Sequence, residues 1–237
     1  MGPTNRLIRT AALLGAAVLV FAAGAAAHWA WGAWQSRQTF VELAKDPTLR
    51  ATYRHRLTLF EQLKSKPTVV MLGDSITQWG EWNELIGPQV ANRGIGGDTS
   101  SALARRLKAS VPDSATTVVI MIGLNDLKEP GWTPEASANT VRGIVHDLKG
   151  RRVILQSVLR VSDARLNGRI SGLNRELRRI CEAEPPEQPL DCDWLDLNRV
   201  ITPGGTLTGD LTSDGRHLNG RGYALWAAAL KPVLEKR

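Results

Sequence analysis

Five residues of the sequence carry the groups that acyl transfer needs. Ser75 follows a strand-like run and a glycine, but a serine hydroxyl attacks a carbonyl only when a base takes its proton. His217 can be that base, and Asp214 lies three residues before it, close enough to hold the imidazole in one tautomer. Gly97 and Asn125 can donate hydrogen bonds to an oxyanion, Gly97 because no Cβ shields its backbone N–H. Together these groups predict a serine nucleophile that acts on an acyl carbonyl.

The elements that must position these residues alternate between strand and helix. Continuous apolar runs predict strands over Thr68–Leu72, Gln89–Asn92, Thr117–Ile122, Arg152–Val158 and Trp194–Leu197. Helical spacing of apolar residues predicts helices over Ser100–Ser110, Pro134–Leu148, Asn167–Cys181 and Asn219–Leu234. Runs without polar alternation fit strands buried on both faces, so we predict a three-layer α/β/α fold with about five parallel strands.

Each candidate residue stands where a strand ends or just before the last helix. The blocks are Gly73–Ile76 (GDSI), Gly94–Thr99 (GIGGDT), Gly123–Asp126 (GLND) and Asp214–His217 (DGRH). Ligand sites in such sheets lie outside the carboxyl ends of the strands, so one rim should collect all four blocks. Ser75 could instead cap a helix, and Asp74 and Asp126 fit turn or cap positions better than reacting ones.

The four blocks resemble the signature blocks of the SGNH (GDSL-type) hydrolase family. NRGIGGDTS and DGRHLNGRGY are most similar to its platelet-activating-factor-acetylhydrolase-like branch, and the resemblance spans about residues 67–235. It implies a flavodoxin-like fold and ester hydrolysis without metal or cofactor. It also implies Ser75 as nucleophile, His217 as general base and then acid, and Asp214 to orient His217. The implied oxyanion donors are the N–H groups of Ser75 and Gly97 and the side chain of Asn125.

Two features near the rim leave their roles open. Arg160 stands where bacterial relatives of the family often have proline, and it could point a cation at the pocket or be solvated. Trp79, Trp82 and Trp132 flank the predicted rim, where they could contact a sugar or acyl chain, or pack in a core or lid.

Composition and charge exclude several functions. Hydrophobic and charged fractions are those of a globular protein, and two cysteines exclude a disulfide scaffold and a four-cysteine zinc site. His28, His55 and His146 have no partners at metal spacing. The net charge is +7, but residues 1–66 hold nine Lys and Arg against three acids, which leaves the rest nearly neutral. We therefore predict no nucleic-acid partner.

The uncharged run from Thr10 to Trp34 predicts a targeting segment. Its length of about 37 Å as a helix can cross a bilayer core, and three tryptophans at one end fit an interfacial belt. Ala25–Ala27 also fits the cleavage site of a signal peptide. We predict an anchor or signal peptide over residues 1–36, a linker of two short helices over 37–66 and the hydrolase domain over 67–237. The body is expected in the periplasm or outside the cell, either membrane-anchored or secreted.

Cys181 and Cys192 flank a proline-rich loop. They could form a disulfide, which persists in an oxidising compartment, or be two free thiols.

Taken together, the sequence predicts an esterase that removes short acyl groups, acetyl above all, from an extracytoplasmic substrate such as an O-acetylated glycan. Alternatives with the same triad are an acyltransferase, a lysophospholipase or a thioesterase, and a non-catalytic envelope binding module also stays open. The expected partners are an acyl ester of a glycan or lipid and, through the N-terminal helix, the membrane.

Overall fold

A five-stranded parallel sheet forms the centre of the computed structural model, which describes residues 47–129, 131–182 and 189–236. The strands are β1 (Val69–Gly73), β2 (Val90–Gly94), β3 (Thr117–Met121), β4 (Arg152–Gln156) and β5 (Asp193–Leu195). The helices are α1 (Pro47–Gln62), α2 (Ser75–Gln78), α3 (Trp82–Leu85), α4 (Ser100–Arg105), α5 (Leu107–Ser110), α6 (Pro134–Asp147), α7 (Ala164–Glu182), α8 (Asn198–Ile201) and α9 (Gly220–Glu235), with a 3-10 helix over Asp126–Lys128. This arrangement confirms the predicted α/β fold.

The strand order β2-β1-β3-β4-β5 places the crevice of the sheet between β1 and β3. The chain leaves β1 towards β2 on one side and leaves β3 towards β4 on the other, so the loops after β1 and β3 diverge. In the register, Gly73 pairs with Gly94 and with Met121, so the neighbouring strands β2, β1 and β3 end in one row. The blocks that follow them therefore emerge side by side.

Two helical layers cover the sheet. Helices α4, α6 and α7 pack side by side in one layer, and α9 packs with α3 and α8 in the other. In α7 the buried residues Ile170, Leu173, Leu177 and Ile180 recur at helical spacing. In the second layer Trp82 and Trp226 meet edge to face at 4.7 Å, and both are fully buried. Tyr223 joins them and donates its hydroxyl to the Ile76 carbonyl at 2.7 Å, which ties α9 to α2.

The predicted helix over Ser100–Ser110 is interrupted at one residue. Arg106 leaves helical geometry, with φ of −104° and ψ of 7°, and it separates α4 from α5. Its side chain turns inward to a buried carboxylate, and this tertiary contact explains why the local pattern did not reveal the break. The strand predicted over Arg152–Val158 also ends earlier, at Gln156, because the Val158 N–H and carbonyl bond to Asn174 of α7 instead of a neighbouring strand.

Helix α1 falls within the predicted linker and contacts the edge of the sheet. Arg56 donates to the Gly94 carbonyl at 3.2 Å, and the guanidinium groups of Arg56 and Arg93 lie over the buried ring of Phe60. The predicted targeting segment over residues 1–36 and the first linker helix lie outside the described residues. Within the described ranges, no helix has both the length and the apolar character needed to span a bilayer.

A disulfide joins the end of α7 to the segment before β5. It links Cys181 and Cys192, so the structure has the disulfide and not the two free thiols that the sequence also allowed. The bond ties α7, the longest helix among the described residues, to the segment before the edge strand β5, which pairs with β4 over three residues.

Candidate active site

Ser75 is the first residue of helix α2, and one residue separates it from the end of β1. The helix cap is Asp74, whose carboxylate accepts from the Ile76 N–H at 2.9 Å, so the reading of Ser75 as the cap is wrong. Gly73 is needed at this turn, because a Cβ there would lie 2.2 Å from the Thr77 hydroxyl. The tight turn therefore sets Ser75 just beyond the carboxyl end of β1.

His217 and Asp214 form a hydrogen-bonded chain with that hydroxyl. The Ser75 Oγ lies 2.9 Å from Nε2 of His217, and Nδ1 lies 2.6 Å from Oδ2 of Asp214. The backbone N–H groups of Arg216 and His217 donate to the other carboxylate oxygen at 2.9 and 2.8 Å. Burial acts against ionisation of Asp214, but the hydrogen bonds from His217 and Arg216 outweigh it and hold its pKa well below the usual range. The carboxylate is therefore ionised and orients the imidazole with Nε2 towards Ser75.

Three candidate N–H donors follow the aligned ends of β1, β2 and β3. Gly97 has a φ of +81°, a conformation that favours glycine, and its turn is held by the Gly96 N–H, which donates to Oε1 of Gln78 at 2.6 Å. The Asn125 amide donates one hydrogen bond to the Asp98 carbonyl at 2.9 Å, which leaves its second N–H for a ligand. Within the described ranges, the N–H groups of Ser75 and Gly97 have no protein acceptor. Such free donors at adjoining strand ends are suited to an oxyanion.

Residues 71–225 match the family of GDSL-like lipases and acylhydrolases. The chain belongs to this family. The match covers more than half of the sequence and includes all four predicted blocks, so the family resemblance found in the sequence is confirmed. Membership makes the chain a carboxylic ester hydrolase. No curated protein sequence matches the chain.

Solved structures of GDSL-like hydrolases share the fold. A Streptococcus pneumonia protein described provisionally as a platelet activating factor is 22% identical, with a TM-score of 0.68 over 85% of this chain and 99% of its own. A lipase/acylhydrolase from Enterococcus faecalis is 23% identical, with a TM-score of 0.60 over 71% of this chain and 95% of its own. An acetylxylan esterase from Geobacillus stearothermophilus is 19% identical, with a TM-score of 0.58 over 74% and 97%. At these identities the similarity is one of fold.

A buried ion pair connects the loops of this GDSL-like site. Arg106 donates from Nε to Asp98 at 2.6 Å and from a terminal nitrogen to the Gly73 carbonyl at 2.9 Å, and both charged side chains are fully buried. Burial raises the pKa of Asp98 to about 6 against the effect of Arg106, so Asp98 is ionised at neutral pH. The pair thus links the turn before Ser75 to the turn after Gly97. The role of Arg106 does not follow from the sequence, because nothing in the spacing of residues around it shows that α4 ends there.

Asp74 and Asp126 have the structural roles that the sequence predicted. Asp126 accepts hydrogen bonds from the N–H and hydroxyl of Ser100 at the start of α4, and neither acid contacts the Ser75 hydroxyl. Burial raises the pKa of Asp74 to about 7, and the hydrogen bond from Ile76 opposes that rise. The described residues contain no cluster of three His, Cys, Asp or Glu side chains that could hold a metal.

The three rim tryptophans differ in position. Trp82 and Trp132 are buried, whereas Trp79 is 54% exposed and stacks on the imidazole of His217 with ring centroids 4.1 Å apart. Arg160 is half-buried, and its backbone N–H donates to Oδ1 of Asn198 at 2.9 Å, a bond that a proline at this position could not make. One face of the catalytic candidate His217 is therefore covered by an aromatic ring that is itself open to solvent.

Proposed function

We propose that this chain is a serine esterase that removes short acyl groups, acetyl above all, from an O-acylated glycan outside the cytoplasm. The observation that carries the proposal is the continuous chain from the Ser75 hydroxyl through His217 to Asp214, with contacts of 2.9 and 2.6 Å. The free donors of Ser75, Gly97 and Asn125 complete the set of groups that an acyl-enzyme route requires.

In the proposed reaction Ser75 attacks the ester carbonyl carbon while its proton moves to Nε2 of His217. The carbonyl oxygen becomes an oxyanion that the three N–H donors stabilise, and Asp214 stabilises the imidazolium. The bond from the carbonyl carbon to the leaving oxygen then breaks, and His217 donates its proton to the departing alcohol. A water molecule attacks the acyl-enzyme carbonyl and gives its proton to His217. The bond from the carbonyl carbon to Oγ of Ser75 then breaks, His217 returns the proton to Oγ, and the carboxylic acid leaves.

Trp79 supports a sugar as the leaving group. Its indole lies against His217, the residue that protonates the leaving oxygen, and more than half of the side chain is open to solvent. A sugar ring can pack its C–H face on such an aromatic surface. The shared fold with an acetylxylan esterase agrees with an acetylated glycan as substrate.

The disulfide between Cys181 and Cys192 supports an extracytoplasmic location, because such bonds persist in oxidising compartments. The uncharged segment from Thr10 to Trp34 supports export by an anchor or a cleaved signal peptide. Determining the N-terminus of the mature protein from cells tests this part: a start after Ala27 indicates cleavage, an intact start indicates an anchor, and a reduced protein in the cytosol contradicts the proposal.

The decisive assay compares the purified chain with Ser75→Ala on p-nitrophenyl acetate, butyrate and octanoate. We expect turnover that falls with chain length and a loss of at least about 10³-fold in kcat for Ser75→Ala. Ser65→Ala, which changes an exposed serine of the linker, is the matched control and should leave kcat unchanged.

Three other results of this ester assay would contradict parts of the proposal. A preference for octanoate contradicts the short-acyl proposal and directs attention to lipid or thioester substrates. Turnover that survives in Ser75→Ala refutes the serine mechanism. A folded protein without turnover on any ester refutes hydrolysis and favours acyl transfer or binding. If the acetyl ester is preferred, acetate release from acetylated xylan and acetylated amino-sugar glycans then identifies the glycan.

A further inference from the structure

The ammonium group of Lys128 forms a hydrogen bond with the side chain of Asn125. The Nζ atom donates to Oδ1 of Asn125 at 2.9 Å. Lys128 is the last residue of the 3-10 helix over Asp126–Lys128, and the helical turn brings it back over Asn125, three residues earlier. The esterase mechanism above gives Lys128 no role, although it lies beside a proposed oxyanion donor.

The contacts of Asn125 determine the orientation of its amide group. Its oxygen faces Lys128, which can only donate, and its nitrogen faces the Asp98 carbonyl, which can only accept, at 2.9 Å. With the amide reversed, the NH₂ group would face the ammonium and the amide oxygen would face the carbonyl, so both contacts would be repulsive. The observed orientation leaves one N–H of Asn125 for a ligand.

We propose that Lys128 is a positioning residue for the oxyanion hole, one that acts through Asn125; this rests on the esterase function proposed above. The ammonium holds the amide in the donating orientation. Its positive charge also withdraws electrons from the amide through the oxygen, which makes the remaining N–H a stronger donor. That effect is largest when the negative charge of the tetrahedral intermediate has formed, so it favours the transition state over the bound ester.

The charged groups around Lys128 come from three segments. Arg216 lies on the loop before α9, Asp74 on the turn after β1 and Glu129 next to Lys128 itself. The Lys128 side chain is exposed at the surface, yet local desolvation and then Arg216 lower its pKa to about 8, while Asp74 and Glu129 oppose that fall. The ammonium therefore loses its proton in a pH range in which an esterase can be assayed. The positive charge of Lys128 beside Asn125 can thus be removed by raising the pH as well as by mutation.

A double-mutant cycle tests whether Lys128 acts through Asn125. The variants are Lys128→Met, Asn125→Ala and the double variant, with kcat and KM measured on p-nitrophenyl acetate at about pH 7. We expect Asn125→Ala to lower kcat about 10²–10³-fold and Lys128→Met about 10-fold, with KM changed less than about threefold. In the Asn125→Ala background, Lys128→Met should change kcat less than about twofold. Equal effects of Lys128→Met in both backgrounds overturn the proposal.

A pH profile separates positioning from a general structural role. In the unmodified chain we expect kcat to fall as the pH rises through about 8, after subtraction of spontaneous hydrolysis. Lys128→Arg keeps its charge at every assay pH, so its kcat should stay high at about pH 9–10. A fall near pH 8 that persists in Lys128→Arg and Lys128→Met overturns the proposal.

Two controls keep the outcomes distinct. Lys108→Met removes an exposed lysine from α5 and should leave both kcat and the pH profile unchanged. Ser75→Ala reports on the esterase function itself: turnover that does not depend on Ser75 refutes that function. Turnover that depends on Ser75, together with additive effects of Lys128→Met and Asn125→Ala, refutes only the role of Lys128 and leaves the esterase function standing. Thermal unfolding of each variant identifies any that fails to fold.

Discussion

Replacement of Arg106 by methionine tests whether one buried ion pair holds the active-site loops together. The guanidinium bonds to Asp98 at 2.6 Å, to the Ser110 hydroxyl at 2.8 Å and to the Gly73 carbonyl at 2.9 Å. The second oxygen of Asp98 is buried and has no hydrogen-bond partner among the described residues. Arg106→Met keeps most of the side-chain volume and leaves the Asp98 carboxylate without a counter-charge.

The expected loss in the free energy of unfolding is about 3–5 kcal/mol, the usual cost when one partner of a buried pair is removed. This cost should depend on pH. The native pKa of Asp98, about 6, is above its value of about 4 in the unfolded chain. Native protein therefore holds more protons than unfolded protein between these values, and stability falls as the pH rises through that range. Without Arg106 the native pKa rises further, so the range extends upward and the loss is larger at pH 8 than at pH 5.

Urea unfolding at pH 5 and pH 8 measures both effects. The double variant Arg106→Met/Asp98→Asn removes the unpaired charge and should be more stable than Arg106→Met at pH 8. Arg199→Met, at an exposed site, should change stability by less than about 0.5 kcal/mol. We also expect a lower kcat for Arg106→Met, because the Asp98 carbonyl orients Asn125. A loss below about 1 kcal/mol that is equal at both pH values would refute the reasoning.

Three further predictions follow from contacts at the site and the edge of the sheet. Trp79→Ala should raise KM for an acetylated oligosaccharide at least about fivefold with a smaller change for p-nitrophenyl acetate, because the aromatic surface is lost; equal changes would contradict sugar stacking. Replacement of Cys181 and Cys192 by serine should lower the free energy of unfolding by about 3 kcal/mol, because the disulfide closes a loop with a sequence separation of 11; urea unfolding with and without reductant measures the loss. Gly73→Ala should cost about 1–3 kcal/mol and lower kcat, since the new Cβ meets Thr77 and shifts the serine turn; unchanged kinetics would contradict this.

Predictions that depend on local pattern agree with the structure. The sequence predicts a strand over Thr117–Ile122 and the structure has one over Thr117–Met121, because a run of β-branched residues buried on both faces is a local property. The helix start at Pro134 was recognised because Thr133 caps it, accepting from the Ala136 N–H at 3.2 Å. The candidate site residues follow from short blocks at strand ends, since the carboxyl edge of a parallel sheet brings such blocks together whatever lies between them.

Features that depend on contacts between distant residues could not be read from the sequence. The break at Arg106 exists because its guanidinium reaches Asp98 and Gly73. The three rim tryptophans were equivalent in sequence, and only packing separates exposed Trp79 from buried Trp82.

The class of fold, the family and the groups able to carry out acyl transfer follow from the amino-acid sequence, because periodicity and short motifs are local properties of the chain. The tertiary structure alone decided that Ser75 and His217, 142 residues apart, meet at 2.9 Å. It also decided that Trp79 covers His217 and that Lys128 bonds to Asn125. The physical reason is that side-chain orientation at the rim depends on how separate loops pack together, and no local pattern encodes that packing.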